Sequence, residues 1–176
     1  MSIEISILSD SRLGSIAELQ HAIDVEGFPL RLPAEAALDP PGGMLSAYLR
    51  DKLTVVRYRI EDSRQLMEAH KEIVFGRDWK YLISLPWIVG FDQFDAAWII
   101  AAAYACATGG AVFDPQEGRL LSSDEARQVV QEMGHVRPQA EAVLQTFVQE
   151  FSAKSPAAEA ALHALIQRHS TKSDEA

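Results

Sequence analysis

The chain has 176 residues, of which 48% are hydrophobic and 23% are charged. This is the size of one ordinary soluble domain with a core large enough to need neither disulfides nor a structural metal. Sixteen Lys and Arg against 25 Asp and Glu leave a net charge of -9, which argues against nucleic acid or an anionic membrane surface as the main partner. Cys106 is the only cysteine, so intramolecular disulfides and zinc sites built on paired cysteines are excluded. Residues 1–4 lack the basic start of a secretory signal, and we expect a cytoplasmic protein.

The first third of the chain predicts a strand, a helix and a second strand. Ile3–Ser9 alternates with period two, which indicates a strand. Apolar residues recur at helical spacing over 13–23, and Ser15 and Glu18 have the separation of a capping box. Residues 28–32 are predicted to form an edge strand, because Pro29 has no amide hydrogen to donate. Residues 33–43, rich in Pro and Gly, are predicted to form a surface loop.

The next segment predicts an antiparallel hairpin, a short helix and another strand. Strands are expected over 44–49 and 53–61, joined by the charged turn 50–52. Alternation places Arg57 and Arg59 on the solvated face of the second strand. A short helix is expected to follow Asp62 or Ser63 and to end near Gly76. Residues 80–88 then predict a strand in which Pro86 indicates a bulge or an edge.

A strongly apolar helix is predicted over 92–108. Between 96 and 107 no residue is polar except Tyr104, for its hydroxyl, and Cys106, for its thiol, so we expect this central helix to be buried on nearly every side. The run is too short for a membrane span of about 20 residues. Residues 111–113 predict a strand and 116–121 a turn, after which Ser122 and Glu125 form a capping box for a helix through Met133.

No strand pattern remains after Gly134. Apolar stripes over 140–151 and 157–169 predict an antiparallel helical hairpin at 134–170, followed by a frayed tail at 171–176. The hairpin packs on the core or on a partner, and a homodimer through these helices is one possibility. The expected fold is thus α+β, with an antiparallel or mixed sheet over 1–133 and an appended helical hairpin.

No pattern in the sequence points to a catalytic, metal or cofactor site. The five histidines form no compact cluster with acids, so we expect no metal. Cys106 is predicted to be a protonated core thiol. The glycine pairs 42–43 and 109–110 lack a Walker lysine, and turn or helix-cap roles are favoured over phosphate binding.

Two sets of residues are candidate binding residues. Trp79, next to Arg77 and Asp78 in a polar loop, is predicted to be an exposed anchor, because tryptophan and arginine dominate interface energetics. Asp92 and Asp95 could form an acid/base pair in a pocket near Trp87, although helix capping explains both. The alternative to a binding protein is therefore a small enzyme or ligand-binding domain with a pocket at this second set.

One stretch of the chain resembles the small bacterial immunity proteins encoded beside interbacterial toxins. The likeness is in the hairpin from Gly43 to Tyr58, the alanine-rich helix 96–108, the segment from Thr108 to Gly118 and the helix start at 122–126. It covers residues 1–133 and leaves the C-terminal hairpin outside. The resemblance implies a ferredoxin-like core and a non-enzymatic inhibitor that binds a cognate protein toxin. An acidic chain would meet a basic toxin quickly through electrostatic steering.

Overall fold

The alternating segments of the chain form one open sheet. A computed structural model describes residues 3–34, 38, 42–87 and 90–154. Its strands are β1 (Ile3–Ser9), β2 (Leu30–Arg31), β3 (Gly42–Leu49), β4 (Lys52–Asp62), β5 (Tyr81–Trp87), β6 (Ala111–Asp114) and β7 (Arg119–Ser122). Its helices are α1 (Ile16–Val25), α2 (Arg64–Ala69), α3 (Phe91–Thr108) and α4 (Ser123–Lys154). The chain divides into two compact units, Met1–Met133 and Gly134–Ala176.

The sheet lies in the first unit, with strand order β2-β3-β4-β5-β1-β6-β7. All neighbouring strands are antiparallel. The predicted α+β class is therefore confirmed, and of the two predicted sheet types the antiparallel one is observed. β2 lies at an edge, as Pro29 predicted. β5 is an internal strand, but it pairs with β4 only as far as Ser84. Pro86 therefore has no partner on the β4 side, where its missing amide hydrogen would otherwise be needed.

The inner face of the sheet, defined by Ile5 and Ile7 of β1, carries the main core. Ile83 and Leu85 of β5 belong to the same cluster, together with α1 and α3. Every residue of α3 from Asp95 to Ala105 is buried. Full burial of one large aliphatic side chain, such as Ile99 or Ile100, contributes roughly 1.5–3 kcal/mol, and this layer holds the larger of the two buried clusters.

The outer face of the sheet carries a second, smaller cluster. Leu8, Leu82 and Phe113 project from the strands and pack with Phe75 and Trp79 from the segment after α2. The β3–β4 half of this face is open, with Met44, Tyr48 and Leu53 exposed. Arg57 and Arg59 on the same face are also exposed, as the alternation in β4 predicted.

The predicted capping box at Ser122 and Glu125 is complete, whereas at Ser15 and Glu18 only the bond to the Ser15 hydroxyl forms and the Glu18 carboxylate accepts from the Gly14 amide instead. The Glu18 amide donates to Ser15 Oγ at 3.2 Å, at the start of α1. At the start of α4, the Glu125 amide donates to Ser122 Oγ at 3.3 Å, and the Ser122 amide donates back to the Glu125 carboxylate at 2.8 Å. Each bond satisfies an amide that the helix geometry leaves without a partner.

Several predicted boundaries are wrong. α3 begins at Phe91 after Gly90, so Asp92 is not its N-cap but lies in the first turn. Part of the predicted turn 116–121 forms β7, because Gly118, at φ +61°, lets the chain reverse after β6. α2 ends at Ala69, well before the predicted end near Gly76.

The predicted surface loop 33–43 is also corrected at its end, because Gly42 and Gly43 belong to β3. A Cβ at Gly42 would lie 2.3 Å from the Tyr58 carbonyl oxygen. This close approach of the β4 backbone requires glycine.

α4 crosses the predicted boundary at Gly134 without a break and includes Pro138. Glycine lowers helix stability by about 1 kcal/mol relative to alanine but does not by itself end a helix. In the second unit, Val136 and Val143 are exposed, and the Thr146 hydroxyl donates to the Ala142 carbonyl at 2.9 Å. The predicted second hairpin helix at 157–169 and the tail 171–176 lie outside the described residues.

None of the helices in the described ranges is long and apolar enough to cross a membrane.

Candidate functional site

An open groove of about 590 Å³ runs between α1 and α3, on the side of these helices away from the sheet core. We call it the α1–α3 groove. It is lined by Leu13, Ala17, Glu18, His21, Ala22, Val25, Glu26, Ala103, Cys106 and Ala107. Its volume falls within the usual range of ligand-binding clefts, about 300–1,000 Å³.

The groove is open because alanines line both helices where they face one another. Ala17 on α1 and Ala107 on α3 are exposed, and Ala103 is buried beneath them. Side chains of this size cannot fill the space that two packed helices leave between their ridges. Val25, at the C-terminal end of α1, adds apolar surface and is 69% exposed. The result is an apolar surface open to solvent on a helical layer that is otherwise well packed.

The end of the groove near Leu13 is held rigid by hydrogen bonds. The Leu13 amide donates to the Tyr104 hydroxyl at 3.0 Å, which ties the start of α1 to α3. The Glu18 carboxylate accepts from the Gly14 amide at 2.6 Å. The first bond joins the segment before α1 to α3, and the second lies within the start of α1 itself, so both support a preformed end of the groove.

The other end contains a cluster of Cys106, Glu26 and Arg127. Two bonds join the Arg127 guanidinium to the Glu26 carboxylate, Nε to Oε2 at 2.5 Å and Nη2 to Oε1 at 3.1 Å. Arg127 Nη2 also lies 3.5 Å from Cys106 Sγ, and the thiol donates to the Ser123 carbonyl at 3.6 Å. The cluster therefore connects α1, α3 and the first turns of α4.

The protonation states of this cluster are set by its contacts. The hydrogen bond from Arg127 lowers the pKa of Glu26, which stays ionised. Burial, followed by the charge of Glu26, raises the pKa of the Cys106 thiol. The thiol is thus protonated at neutral pH, as predicted, but it is half-buried at the groove rather than enclosed in the core.

The rim of the groove is acidic. Residues 15–26 include Glu18, Asp24 and Glu26 and contain no Lys or Arg. The last turn of α1 has no basic residue, so the partial negative charge of the helix C-terminus adds to Asp24 and Glu26. Arg127 is paired with both Glu26 and Asp124. Arg127 therefore offsets the charge of Glu26, and the negative charge on the α1 side of the groove comes from Glu18, which lines it, and from the exposed Asp24 beside the helix C-terminus.

The predicted exposed anchor is wrong. Trp79 is only 8% exposed and belongs to the outer cluster, where its indole N–H donates to the Phe75 carbonyl at 3.1 Å. Arg77 covers its ring at 3.9 Å and donates to the Gly109 carbonyl at 3.2 Å. Asp78 is exposed and lies with Trp79 on a second, mixed-charge groove of about 640 Å³ beside α2. A binding role for these three residues stays a prediction.

The other predicted set lies on the inner side of the sheet. Asp92, in the first turn of α3, forms an ion pair with Lys52 at the end of the β3–β4 hairpin. Asp95 is 6% exposed, and Trp87 packs edge to face on Phe94 with ring centroids 5.4 Å apart. The structure thus places this set and Trp79 on opposite faces of the sheet. The alternative of a pocket at Asp92, Asp95 and Trp87 stays a prediction.

The sequence analysis did not find the α1–α3 groove, although small residues at Ala17, Ala103 and Ala107 were visible in it. Within the described ranges, no three His, Cys, Asp or Glu side chains are grouped so that they could hold a metal ion. Comparisons of the chain with protein-family models, with curated proteins and with solved structures find no match. The geometry and charge of the groove therefore carry the functional argument.

Proposed function

We propose that this chain is a non-enzymatic cytoplasmic protein of the immunity type, which binds a cognate protein toxin and neutralises it. The observation that carries the proposal is the α1–α3 groove, a preformed apolar cleft with an acidic rim. When a partner fills an apolar cleft and excludes water from it, a few of its side chains contribute most of the binding energy. The acidic rim supports a basic partner, because complementary charge raises the rate of encounter and disfavours acidic competitors.

The chemistry of the groove supports binding rather than catalysis. A nucleophilic cysteine acts as its thiolate, whereas burial keeps Cys106 in the thiol form. Glu26 accepts two hydrogen bonds from Arg127. Because these bonds stabilise the ionised carboxylate, Glu26 is a weak proton acceptor. Cys106, Glu26 and Arg127 are therefore suited to defining the shape and charge of a binding surface.

The strand order supports a ferredoxin-like core, as the resemblance implies. In the series β4-β5-β1-β6, the first and third strands run in the same direction with β5 between them. This is the arrangement of a split βαβ unit, and α1 and α3 pack on one face of it. We propose that β2 and β3 are an addition at the edge of this core, and that α3 is its buried central helix.

The test is co-expression with the product of the neighbouring gene. We expect the two proteins to co-purify, and the chain to restore growth to cells that express that product. The double variant Ala17→Arg, Ala107→Arg should lose both effects, because it fills the groove and places cations at its acidic rim. Ala69→Arg, on the exposed end of α2, is the matched control and should retain both. Absence of both binding and protection with the unmodified chain would overturn the proposal.

A further inference from the structure

We infer that the α1–α3 groove takes a cationic amphipathic α-helix of the partner rather than an extended segment or a small apolar molecule. The inference rests on the proposed function, since it names the element that the bound protein presents. It uses three observations: the walls of the groove are helices, its floor is alanine, and its rim is acidic.

The helical walls exclude recognition of an extended strand. A strand binds by adding its backbone to a sheet edge, where main-chain groups are free to pair. The backbone groups inside α1 and α3 already bond within their own helices. A strand laid in this groove would leave its amides and carbonyls without partners, at a cost of about 1–3 kcal/mol for each group that becomes buried. A helix satisfies its own backbone and avoids this cost.

The alanine floor fits the ridge of large apolar side chains on a third helix. Helices pack by inserting a ridge of one into a groove of the other, with axes about 8–10 Å apart. Ala17 and Ala107 leave room for side chains such as Leu or Ile, and Val25 extends the contact toward the end of α1. The occupant should therefore carry large apolar residues at i, i+3 or i+4, and i+7.

The rim sets the charge of the occupant. Glu18 lies at one end of the groove and Asp24 is exposed near the other end of the same helix, whereas Glu26 is already paired with Arg127. A helix seated on the alanines would place its polar flanks against these carboxylates, so Lys or Arg on those flanks is favoured. Acidic flanks would be repelled by the rim and by the negative C-terminal end of α1.

The experiment uses the full chain and three synthetic peptides that share one leucine stripe. The first carries Lys on its polar face, the second carries Glu, and the third is the Lys peptide with a central Pro that breaks the helix. Affinity is measured by fluorescence anisotropy, and helix formation by circular dichroism. We expect the Lys peptide to bind as a helix at least about tenfold more tightly than either of the others, and less tightly as salt is raised.

Groove-filling variants locate the binding. The double variant Ala17→Trp, Ala107→Trp should lose binding of the Lys peptide about tenfold or more, whereas Ala69→Trp on α2 should not change it. Equal affinity for the Lys and Glu peptides would contradict the inference that the occupant is cationic. Equal affinity for the Lys peptide and its Pro variant would contradict the inference that the occupant is a helix. Unchanged affinity of the Lys peptide for the Ala17→Trp, Ala107→Trp variant would overturn the site. An apolar dye that binds in the groove more tightly than the Lys peptide would overturn the choice of a helix over a small apolar molecule.

This outcome is separable from that of the proposed function. If the neighbouring gene product binds the filled-groove variant as well as the unmodified chain, the inference fails and the proposed function stands. If the Lys peptide binds in the groove and the gene product neither binds nor is neutralised, the inference stands and the proposed function fails.

Discussion

α1 and α3 pack on the same face of the sheet, but one is amphipathic and the other is buried along most of its length. α1 buries Ile16, Leu19, Ala22 and Ile23 and exposes its charged side. α3 is buried at every residue from Asp95 to Ala105 and carries its only described carboxylates, Asp92 and Asp95, in its first turns. The groove lies where the two helices meet, so its charge comes from α1 and much of its apolar floor from α3.

The difference shows that alanine has two roles in this fold. Where α3 faces the sheet, alanine allows close packing, because its methyl group permits short distances between helix and strands. Where α3 faces α1, the same residue leaves the space that forms the groove. Paired substitutions on each helix test this division between a packed side and an open side.

The largest effect is expected for Ile23→Ala on α1. Ile23 is fully buried in the inner cluster, so its truncation removes apolar contacts and leaves a cavity that costs about 2–5 kcal/mol. Val25→Ala, two residues further on and exposed, should change the free energy of unfolding by less than about 0.5 kcal/mol. Urea denaturation of both variants measures the difference. Equal losses would mean that the exposed side of α1 is packed in solution.

Ala101→Leu on α3 should give the next largest loss, about 1–3 kcal/mol. Ala101 is fully buried, and added methylene groups in a packed core displace their neighbours. Ala107→Leu adds the same groups at an exposed groove position of the same helix and should be tolerated. A destabilising Ala107→Leu, measured by thermal denaturation, would contradict the open groove.

The two helix starts provide a third comparison. α1 is capped by Ser15, whereas α3 follows Gly90 and has no side-chain hydrogen bond at its cap. Ser15→Ala should therefore cost about 1 kcal/mol, and Ser15→Asp, which restores an acceptor, should recover most of it. If Ser15→Ala is silent in denaturant unfolding, the cap bond contributes no stability and the α1 start is held by its tertiary contacts alone.

The features that could be predicted from sequence are those set by neighbouring residues. The Ser15 and Ser122 caps depend on residues three apart, and the faces of β4 depend on strict alternation, so the caps and the faces were predicted correctly. The burial of Trp79 depends on Phe113, which lies in β6 and is distant in sequence. The polar residues next to Trp79 therefore gave a wrong prediction of its exposure. The groove is formed by Ala17 and Ala107, which are distant in sequence and are brought together only by the packing of α1 on α3. Neither local pattern nor composition contains that information.

The smallest effect is expected for Glu26→Gln, which separates the charge of the groove from its shape. The Arg127 bond lowers the pKa of Glu26 in the folded chain below its ordinary value of about 4.5, so the unfolded chain binds a proton more readily than the folded one. The stabilisation by ionised Glu26 is therefore complete above that ordinary value and is lost as the pH falls through the lowered pKa. The melting temperature of Glu26→Gln should be slightly below that of the unmodified chain at pH 7, with the gap closing as the pH falls below the ordinary glutamate range. Glu132→Gln, on an exposed residue of α4 whose carboxylate accepts from Gln128, is the control and should keep the melting temperature of the unmodified chain at pH 7. A gap for Glu26→Gln that is independent of pH would show that the carboxylate stabilises the groove by its shape and not by its charge.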